Sequence, residues 1–430
     1  MNEGLGTMAT RDLFAQPAGA VAAPVKLYRD RDLLQWFDGI WVAVVLTSML
    51  FVRMLGTTSA LIILASLPIF VFFRRDRLGN MAGATMILGI LPLWALLSAL
   101  WSKYPGVTLY YGAEYLITIL VGIVIGTSLN RTQVIFGLFA AFAAHAIASM
   151  LIGGYVEVGR AGSTEVELAF VGIMASKNIA ADASGVGILV CAAVIVLSLR
   201  ERMLLPALAG VAVLGIDVWM VLKADSTGAL ISAIIATGAM VVLQAARLVP
   251  VRARTLMMIL GVTAIGVALL AQGYWLQPLL EAVLESAGKD TTLTGRTYIW
   301  ERAWAVIEAH PTLGVGYNAF WVAQNAEAEI LWDYAGINGK SGFNFHNSVM
   351  EVLVHFGYTG VAIFGTIFCA LAVVLLVRVT RMPTEFGIFA ISYLCFLGIR
   401  APYESFGLAP FLYSTALIAA SLSWGLRRDA

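Results

Sequence analysis

Apolar runs separated by short polar joints occupy most of the chain, at roughly 39–52, 56–73, 80–101, 108–128, 132–153, 178–199, 203–222, 227–245, 255–275, 347–377, 385–400 and 407–425. A helix crossing a bilayer uses about 20 apolar residues, so this pattern predicts an all-α, polytopic integral membrane protein with about twelve transmembrane helices. Residues 1–37 are polar and lack the compact apolar core and small-residue cleavage site of a signal peptide, which predicts a cytoplasmic tail. The expected organisation is the tail at 1–37, nine spans over 38–275, a large loop at 276–346, then three spans and a short tail over 347–430.

Lys and Arg residues set the orientation. If every run crosses, 17 of the 27 basic residues fall on the side of the termini and of the Arg74–Arg77 turn, and 10 on the other. Both termini are therefore expected in the cytoplasm and the long loop on the outer side. A loop of that length exceeds ordinary connections and is the kind of segment that carries binding or catalysis. A second outer segment, 154–178, contains the semi-apolar piece 169–174, read as a re-entrant segment. No halves of matching hydropathy stand out, as an inverted-repeat transporter would show.

Composition agrees with the pattern: 60% of residues are apolar, 12% charged, and mean hydropathy is +0.86. A soluble domain carries about a quarter charged residues, so a soluble protein is excluded. The formal charge of +1 gives no basic field for nucleic acid. Cys191, Cys369 and Cys395 lie unpaired within apolar runs and read as small hydrophobes.

The candidate chemistry gathers on the outer side. Residues 294–311 read as one helix, capped by Thr294 and stopped by Pro311, with Trp300, Ala303, Trp304 and Ile307 on one face, which suits a helix lying along the membrane surface. Arg296 falls in its first turn, where unpaired backbone N–H groups favour an anion such as a diphosphate; a surface Arg paired with Glu301 or a headgroup is the plainer alternative. The loop ends at Phe345-His346-Asn347-Ser348, with Asn347 or Ser348 able to cap the next helix and Ser348 and Glu351 at capping-box spacing. His346 thus sits just outside a helix N-terminus, whose positive end favours the neutral imidazole that a general base requires. His355, nine residues on, is half a turn out of phase and reads as a packed helix residue. His145 reads as bonded to a neighbouring helix, and His310 as placed to bond the last carbonyls of its helix. Lys177-Asn178 with Asp182, Asp217 with Lys223 and Asp225-Ser226, and Arg400 with Glu404 all fall near outer span ends. Mutual ion pairing could explain each set, and their convergence beside His346 and Arg296 predicts a polar cleft open to the outer face.

Two blocks, Thr294-Gly295-Arg296…Trp300…Pro311…Gly314…Gly316 and Phe345-His346-Asn347-Ser348…Glu351…Leu353…Gly357…Gly360, resemble the O-antigen ligase and Wzy-type polymerase superfamily, and within it the exopolysaccharide polymerase branch. Ser176-Lys177-Asn178 resembles the family's Lys-Asn element, Asp225-Ser226-Thr227 its Ser-rich helix start, and Arg400…Glu404-Ser405 a late outer-face motif of the polymerase branch. The resemblance implies an undecaprenyl-diphosphate-linked oligosaccharide as donor, an acceptor glycan, and inverting, metal-independent glycosyl transfer without a cofactor at the periplasmic face of a bacterial inner membrane. It further implies His346 as base and Arg296 at the leaving diphosphate, within a substrate-binding set of Lys177, Asn178, Lys223, Asn347, Arg400 and Glu404. Family members carry an Arg shortly before the Asn element; here Arg160 lies 18 residues before Asn178, so either Arg160 or Lys177 could contact phosphate. Membrane lipid, a chain-length regulator and export proteins are the implied partners. Competing readings are a ligase of the same chemistry with a lipid or other acceptor, a transporter of lipid-linked sugar or small solute, and a non-catalytic assembly subunit. A transporter would place its ionisable residues near mid-membrane and would not need the long loop.

Overall fold

The computed structural model describes residues 33–159, 166–274, 295–340 and 343–427. Helices α1 (Leu33–Leu50), α2 (Val52–Leu55) and α3 (Thr57–Arg74) come first, and a 3₁₀ turn at Arg75–Arg77 leads to α4 (Leu78–Leu88), α5 (Ile90–Leu97), α6 (Pro105–Thr127) and α7 (Arg131–Ile152). After a β-hairpin follow α8 (Lys177–Arg200), α9 (Leu204–Lys223), α10 (Thr227–Ala246) and α11 (Val251–Leu270). Two short helices, α12 (Arg296–Ala309) and α13 (Ala326–Tyr334), precede α14 (Ser348–Arg381), α15 (Glu385–Arg400) and α16 (Tyr413–Gly425). We call the end of the bundle that carries α12 and α13 the loop end, and the opposite one the tail end.

The chain is an all-α, multi-pass membrane protein. Among the described residues, eight stretches of helix are long and apolar enough to cross a membrane by length and composition. The count of about twelve is not fixed by them, because several expected runs form shorter helices: 80–101 breaks at Gly89 between α4 and α5, while α15 and α16 have 16 and 13 residues.

Small residues set the closest helix crossings. Gly122 and Gly126 of α6 lie against α16, where added Cβ atoms would stand 2.4 Å from the carbonyl oxygens of Ala416 and Ala420. This small-residue spacing lets two backbones touch in lipid, where packing rather than water exclusion drives association. The main core joins α1, α6, α7, α8, α10, α15 and α16 through residues such as Leu46, Leu138, Leu189, Phe389 and Leu417, all at 0% exposure.

Four expectations change. The piece 169–174 is no re-entrant segment: β1 (Gly154–Gly159) and β2 (Val166–Gly172) pair antiparallel. Phe170 is buried because it packs on Trp219 and Tyr155, with ring centroids at 5.1 and 5.2 Å. In α12 the packed stripe is Ile299, Ala303 and Ile307, whereas Trp304 is 43% exposed and Trp300 donates through Nε1 to Phe345 O at 2.8 Å. The cap of α12 is Gly295 at φ 82°, and Thr294 lies outside the described residues. His145 bonds within its own helix, to Ser149 Oγ at 3.4 Å, rather than to a neighbour.

The helix α14 breaks at Gly357, whose φ of 62° a side chain would strain and whose Cβ would stand 2.4 Å from Thr312 O. The segment after α12 crosses at this break and takes up its free backbone groups: Tyr358 N donates to Pro311 O (2.8 Å), Thr359 N to Thr312 O (3.2 Å), Val315 N to Val354 O (2.9 Å) and Gly316 N to His355 O (3.0 Å). Unpaired backbone in a membrane protein is costly. The Pro311…Gly314…Gly316 and Gly357 motifs are therefore two halves of one joint, which seats α12 over the start of α14. His355 is buried beside this joint, edge-on to Tyr317 at 5.5 Å, as a packed histidine.

Candidate functional site

At the loop end, two short loops are laced together. Asn347 caps α14, its Oδ1 accepting from Val349 N (3.0 Å) and Met350 N (3.1 Å), and its Nδ2 donates to Pro402 O at 3.2 Å. Ser348 Oγ donates to Glu404 O (2.8 Å) and accepts from Phe406 N (3.0 Å), while Ser348 N donates to Ala401 O (2.9 Å). The expected Ser348–Glu351 capping box does not form. Glu351 turns to the preceding loop instead, where its Oε1 accepts from Phe345 N at 2.7 Å. The backbone at His346 is left-handed, φ 50°, a conformation a non-glycine residue adopts only when its surroundings impose it. Asn344 Oδ1, accepting from His346 N at 2.8 Å, helps to impose it.

Glu404 is the hub of this lacing. Its Oε2 lies 3.0 Å from His346 Nδ1, and its Oε1 accepts from Arg296 Nη2 at 2.8 Å and from Asn178 Nδ2 at 2.8 Å. Arg400 Nη2 stands 3.5 Å from the same Oε1 and belongs mainly to Asp182, which it grips through Nε (2.7 Å) and Nη2 (3.0 Å). Ser226 Oγ donates to Asn178 Oδ1 at 3.1 Å. The cluster thus draws on α8, α10's N-cap, α12, the turn before α14, the end of α15 and the loop after it.

Electrostatics decides which proton sits where. Burial pushes the Glu404 carboxyl up, but the His346 hydrogen bond and the charges of Arg400 and Arg296 outweigh it and hold it below the ordinary carboxylate value. Glu404 is therefore a carboxylate and can only accept. His346 Nδ1 carries the hydrogen between them, and a neutral imidazole in that tautomer presents its lone pair at Nε2. Burial lowers the Arg296 pKa, opposed by the Glu404 charge, and Arg296 remains a cation with donors beyond the one given to Glu404. Side-chain exposure grades outward, from 4% at Arg400 and 8% at Glu404 to 15% at Arg296 and 24% at His346.

The structure brings together His346, Arg296, Glu404, Arg400 and Asn178. The plainer pairing of Arg296 with Glu301 is replaced by Glu404, from the far end of the chain. Arg400 is buried behind Glu404, in a place that fixes the carboxylate rather than one that faces a ligand. Lys177 pairs with Asp225 (3.2 Å) beside the cluster, whereas Lys223 is exposed and outside it. Asp217 is fully buried in mid-helix against Cys191, six residues from Lys223, so these two do not form a set. Arg160 lies outside the described residues. Sequence reasoning passed over Asn344, the ring of Phe343 edge-on to His346 at 5.5 Å, and the hub place of Glu404. Aromatic residues alternating with Asn344 directly before His346 were the available signal. Among the described residues, no group of three or more His, Cys, Asp or Glu is arranged to hold a metal ion.

Comparison with known proteins gives two findings. Residues 211–365 match the family model described as O-Antigen ligase, a stretch that includes Arg296, His346 and Gly357. Over 370 residues, 85% of this chain and 82% of the relative, the sequence is 28% identical to exopolysaccharide production protein ExoQ of Rhizobium meliloti (strain 1021). Together they show the resemblance carried by the two loop motifs, to the O-antigen ligase and Wzy-type superfamily on its exopolysaccharide branch.

Proposed function

We propose, proceeding from that likeness to the O-antigen ligase and ExoQ-type membrane proteins, that this chain is a polysaccharide polymerase. It transfers glycan from an undecaprenyl-diphosphate-linked donor to an acceptor sugar hydroxyl. The observation that carries the reading is the Glu404 carboxylate, bonded to His346 on one oxygen and to Arg296 on the other. His346 Nε2 takes the proton of the acceptor hydroxyl, and Glu404 stabilises the imidazolium that forms. The hydroxyl oxygen bonds to the donor's anomeric carbon as the carbon–oxygen bond to the diphosphate breaks on the opposite face, which inverts the configuration. The departing undecaprenyl diphosphate takes the bonding electrons, and Arg296, held in place by Glu404, offers its remaining N–H groups to that anion. The division needs one base and a fixed cation, with no metal step. The site would open to the periplasm of a bacterial inner membrane with both termini in the cytoplasm, in keeping with the 17 to 10 split of basic residues.

The description of the matching family model favours a second reading, a ligase that joins a finished glycan to another acceptor by the same chemistry. One experiment tests both. Purified protein incubated with an undecaprenyl-diphosphate oligosaccharide alone should give a ladder of products. A single addition, made only when a second acceptor is supplied, would mean ligase, and no transfer under either condition would reject both. Reporter fusions at residues 290 and 320 test the orientation separately, and cytoplasmic reporter activity at either would overturn it.

A further inference from the structure

A cavity of about 490 Å³ opens at the loop end between Trp101 and Tyr104 before α6, Arg302 on α12, and Phe320 and Glu327 near α13. None of its lining residues belongs to the Glu404 cluster. It is a built cavity. Trp101 Nε1 donates to Leu313 O at 3.0 Å, Asn325 Nδ2 donates to Phe320 O at 2.8 Å, and Glu327 holds the Arg302 guanidinium. Within this frame the Tyr104 hydroxyl and Arg302 Nε are shut off from solvent without a hydrogen-bond partner among the described residues. Buried polar groups left unpaired cost free energy and call for an explanation.

We propose that this cavity binds a saccharide segment of the acceptor or growing glycan, at a site separate from the reacting centre; this rests on the transferase reading above. The half-buried aromatic rings of Trp101 and Tyr104, backed by the buried Phe320, offer apolar faces of the kind the C–H faces of a sugar ring cover. Around them stand donors and acceptors in both senses, as a ring of hydroxyls requires. The Arg302 and Glu327 charges offset one another, and Lys103 adds a single further cation to the lining. The volume lies in the range of about 300–1,000 Å³ that holds a compact organic ligand, room for a short oligosaccharide. Placement links the cavity to the chemistry. Arg302 is six residues beyond Arg296 on α12, roughly 9 Å along the axis and about 120° around it. Phe320 packs on Phe345 at 4.9 Å, and Phe345 directly precedes His346. A glycan held here lies one layer of side chains behind the base.

The test uses the full chain in lipid nanodiscs and, as probe, lipid-free oligosaccharides of one to three repeats, released by mild acid from the cell's own exopolysaccharide. Calorimetric titration should give saturable binding to the parent protein and, unchanged, to His346→Ala. Tyr104→Phe removes one hydroxyl and should weaken binding about 3- to 10-fold, and Tyr104→Ala should weaken it further. If Tyr104→Ala does not accumulate, the Phe variant decides. No saturable binding to the parent, or binding indifferent to Tyr104→Phe, overturns the proposal; so does binding lost in His346→Ala, which would put the probe at the reacting centre. Transfer assayed alongside keeps the two readings apart, because full transfer by His346→Ala would reject the base while leaving the binding result standing.

Discussion

Two buried Arg–Asp pairs hold the two ends of the bundle. At the tail end, Arg74 grips Asp38 through Nε (2.7 Å) and Nη2 (2.6 Å), and Asn130 N donates to the same carboxylate at 2.7 Å. At the loop end, Arg400 grips Asp182 with the same fork. The pairs are equally buried, with both arginines at 4% side-chain exposure. What differs is the continuation. The tail-end carboxylate is completed by a backbone N–H that ties the cap of α7 to α1. The loop-end guanidinium reaches on to Glu404, and from Glu404 to Arg296 and His346, which are progressively exposed. The same fork serves as a rivet where its carboxylate goes on to a backbone N–H, and as the root of a site where its guanidinium goes on to side chains that meet solvent.

The largest effect expected from breaking this contrast is at His346. Loss of a general base costs about 10²- to 10⁴-fold in rate. His346→Ala should lose transfer by that factor, at matched protein amounts in vitro, and still bind lipid-linked donor. Transfer within a fewfold of the parent would remove His346 as base. Arg74→Ala should show the opposite phenotype. It leaves the buried Asp38 carboxylate without its guanidinium, a loss of about 3–5 kcal/mol, read as poor accumulation and a lower unfolding temperature, while the protein that does fold turns over normally. A well-folded Arg74→Ala protein with slow turnover would make the tail-end pair functional.

Arg296→Lys tests the outer member of the chain with charge conserved. Arginine can bond Glu404 and still present a planar fork to a diphosphate, whereas lysine is a single point charge. A drop of about 10-fold or more in transfer is expected, with the fold intact. Polymer yield equal to the parent at equal expression would leave Arg296 a purely structural partner of Glu404.

The motifs made His346 and Arg296 legible because each sits at a helix start that capping residues and a proline define in the sequence. The gathering of polar residues at span ends was legible too, but its pairing was not: Asp182 and Arg400 are 218 positions apart, and each had nearer opposite charges to choose from. Glu404 could be read as the partner of Arg400 at i, i+4 spacing; its stronger bonds go to His346 and Arg296, which only the lacing of two loops brings to it. The break in α14 was hidden for another reason. The apolar run 347–377 is continuous, and Gly357 interrupts it only because a segment some forty residues upstream supplies replacement hydrogen bonds. Periodicity reports which face is apolar, not which backbone groups find partners elsewhere. The same limit turned the end of hairpin strand β2 and the turn after it into an expected re-entrant segment.

A smaller effect should appear on acidification. Because the folded-state pKa of Glu404 is depressed, its contribution to stability is present above the unfolded carboxylate value of about 4.3 and is lost as pH falls through the lower folded value. Unfolding temperature measured against pH for the parent and for Glu404→Gln should differ by a constant amount near neutrality and converge only under strongly acidic conditions. Convergence already near pH 6 would mean that Glu404 is not held as a carboxylate by the cluster.

The smallest effect separates cluster from surface. Lys177 and Lys223 both belong to the binding set that the resemblance implies, and both lie near the loop end. Lys177 is paired with Asp225 next to Ser226, whose hydroxyl donates to Asn178 and so reaches the Glu404 hub at second hand. Lys223 is exposed and outside those bonds. Exposed substitutions away from special features usually change stability by no more than about 0.5 kcal/mol. Lys223→Ala should therefore leave transfer and unfolding temperature within error of the parent, whereas Lys177→Ala should slow transfer a fewfold by loosening the Asp225–Ser226 turn beneath Asn178. Turnover and thermal unfolding of the two variants side by side check this. A larger loss from Lys223→Ala than from Lys177→Ala would mean that substrate reaches beyond the cluster to the end of α9, and that the exposed lysine rather than the paired one meets its charge.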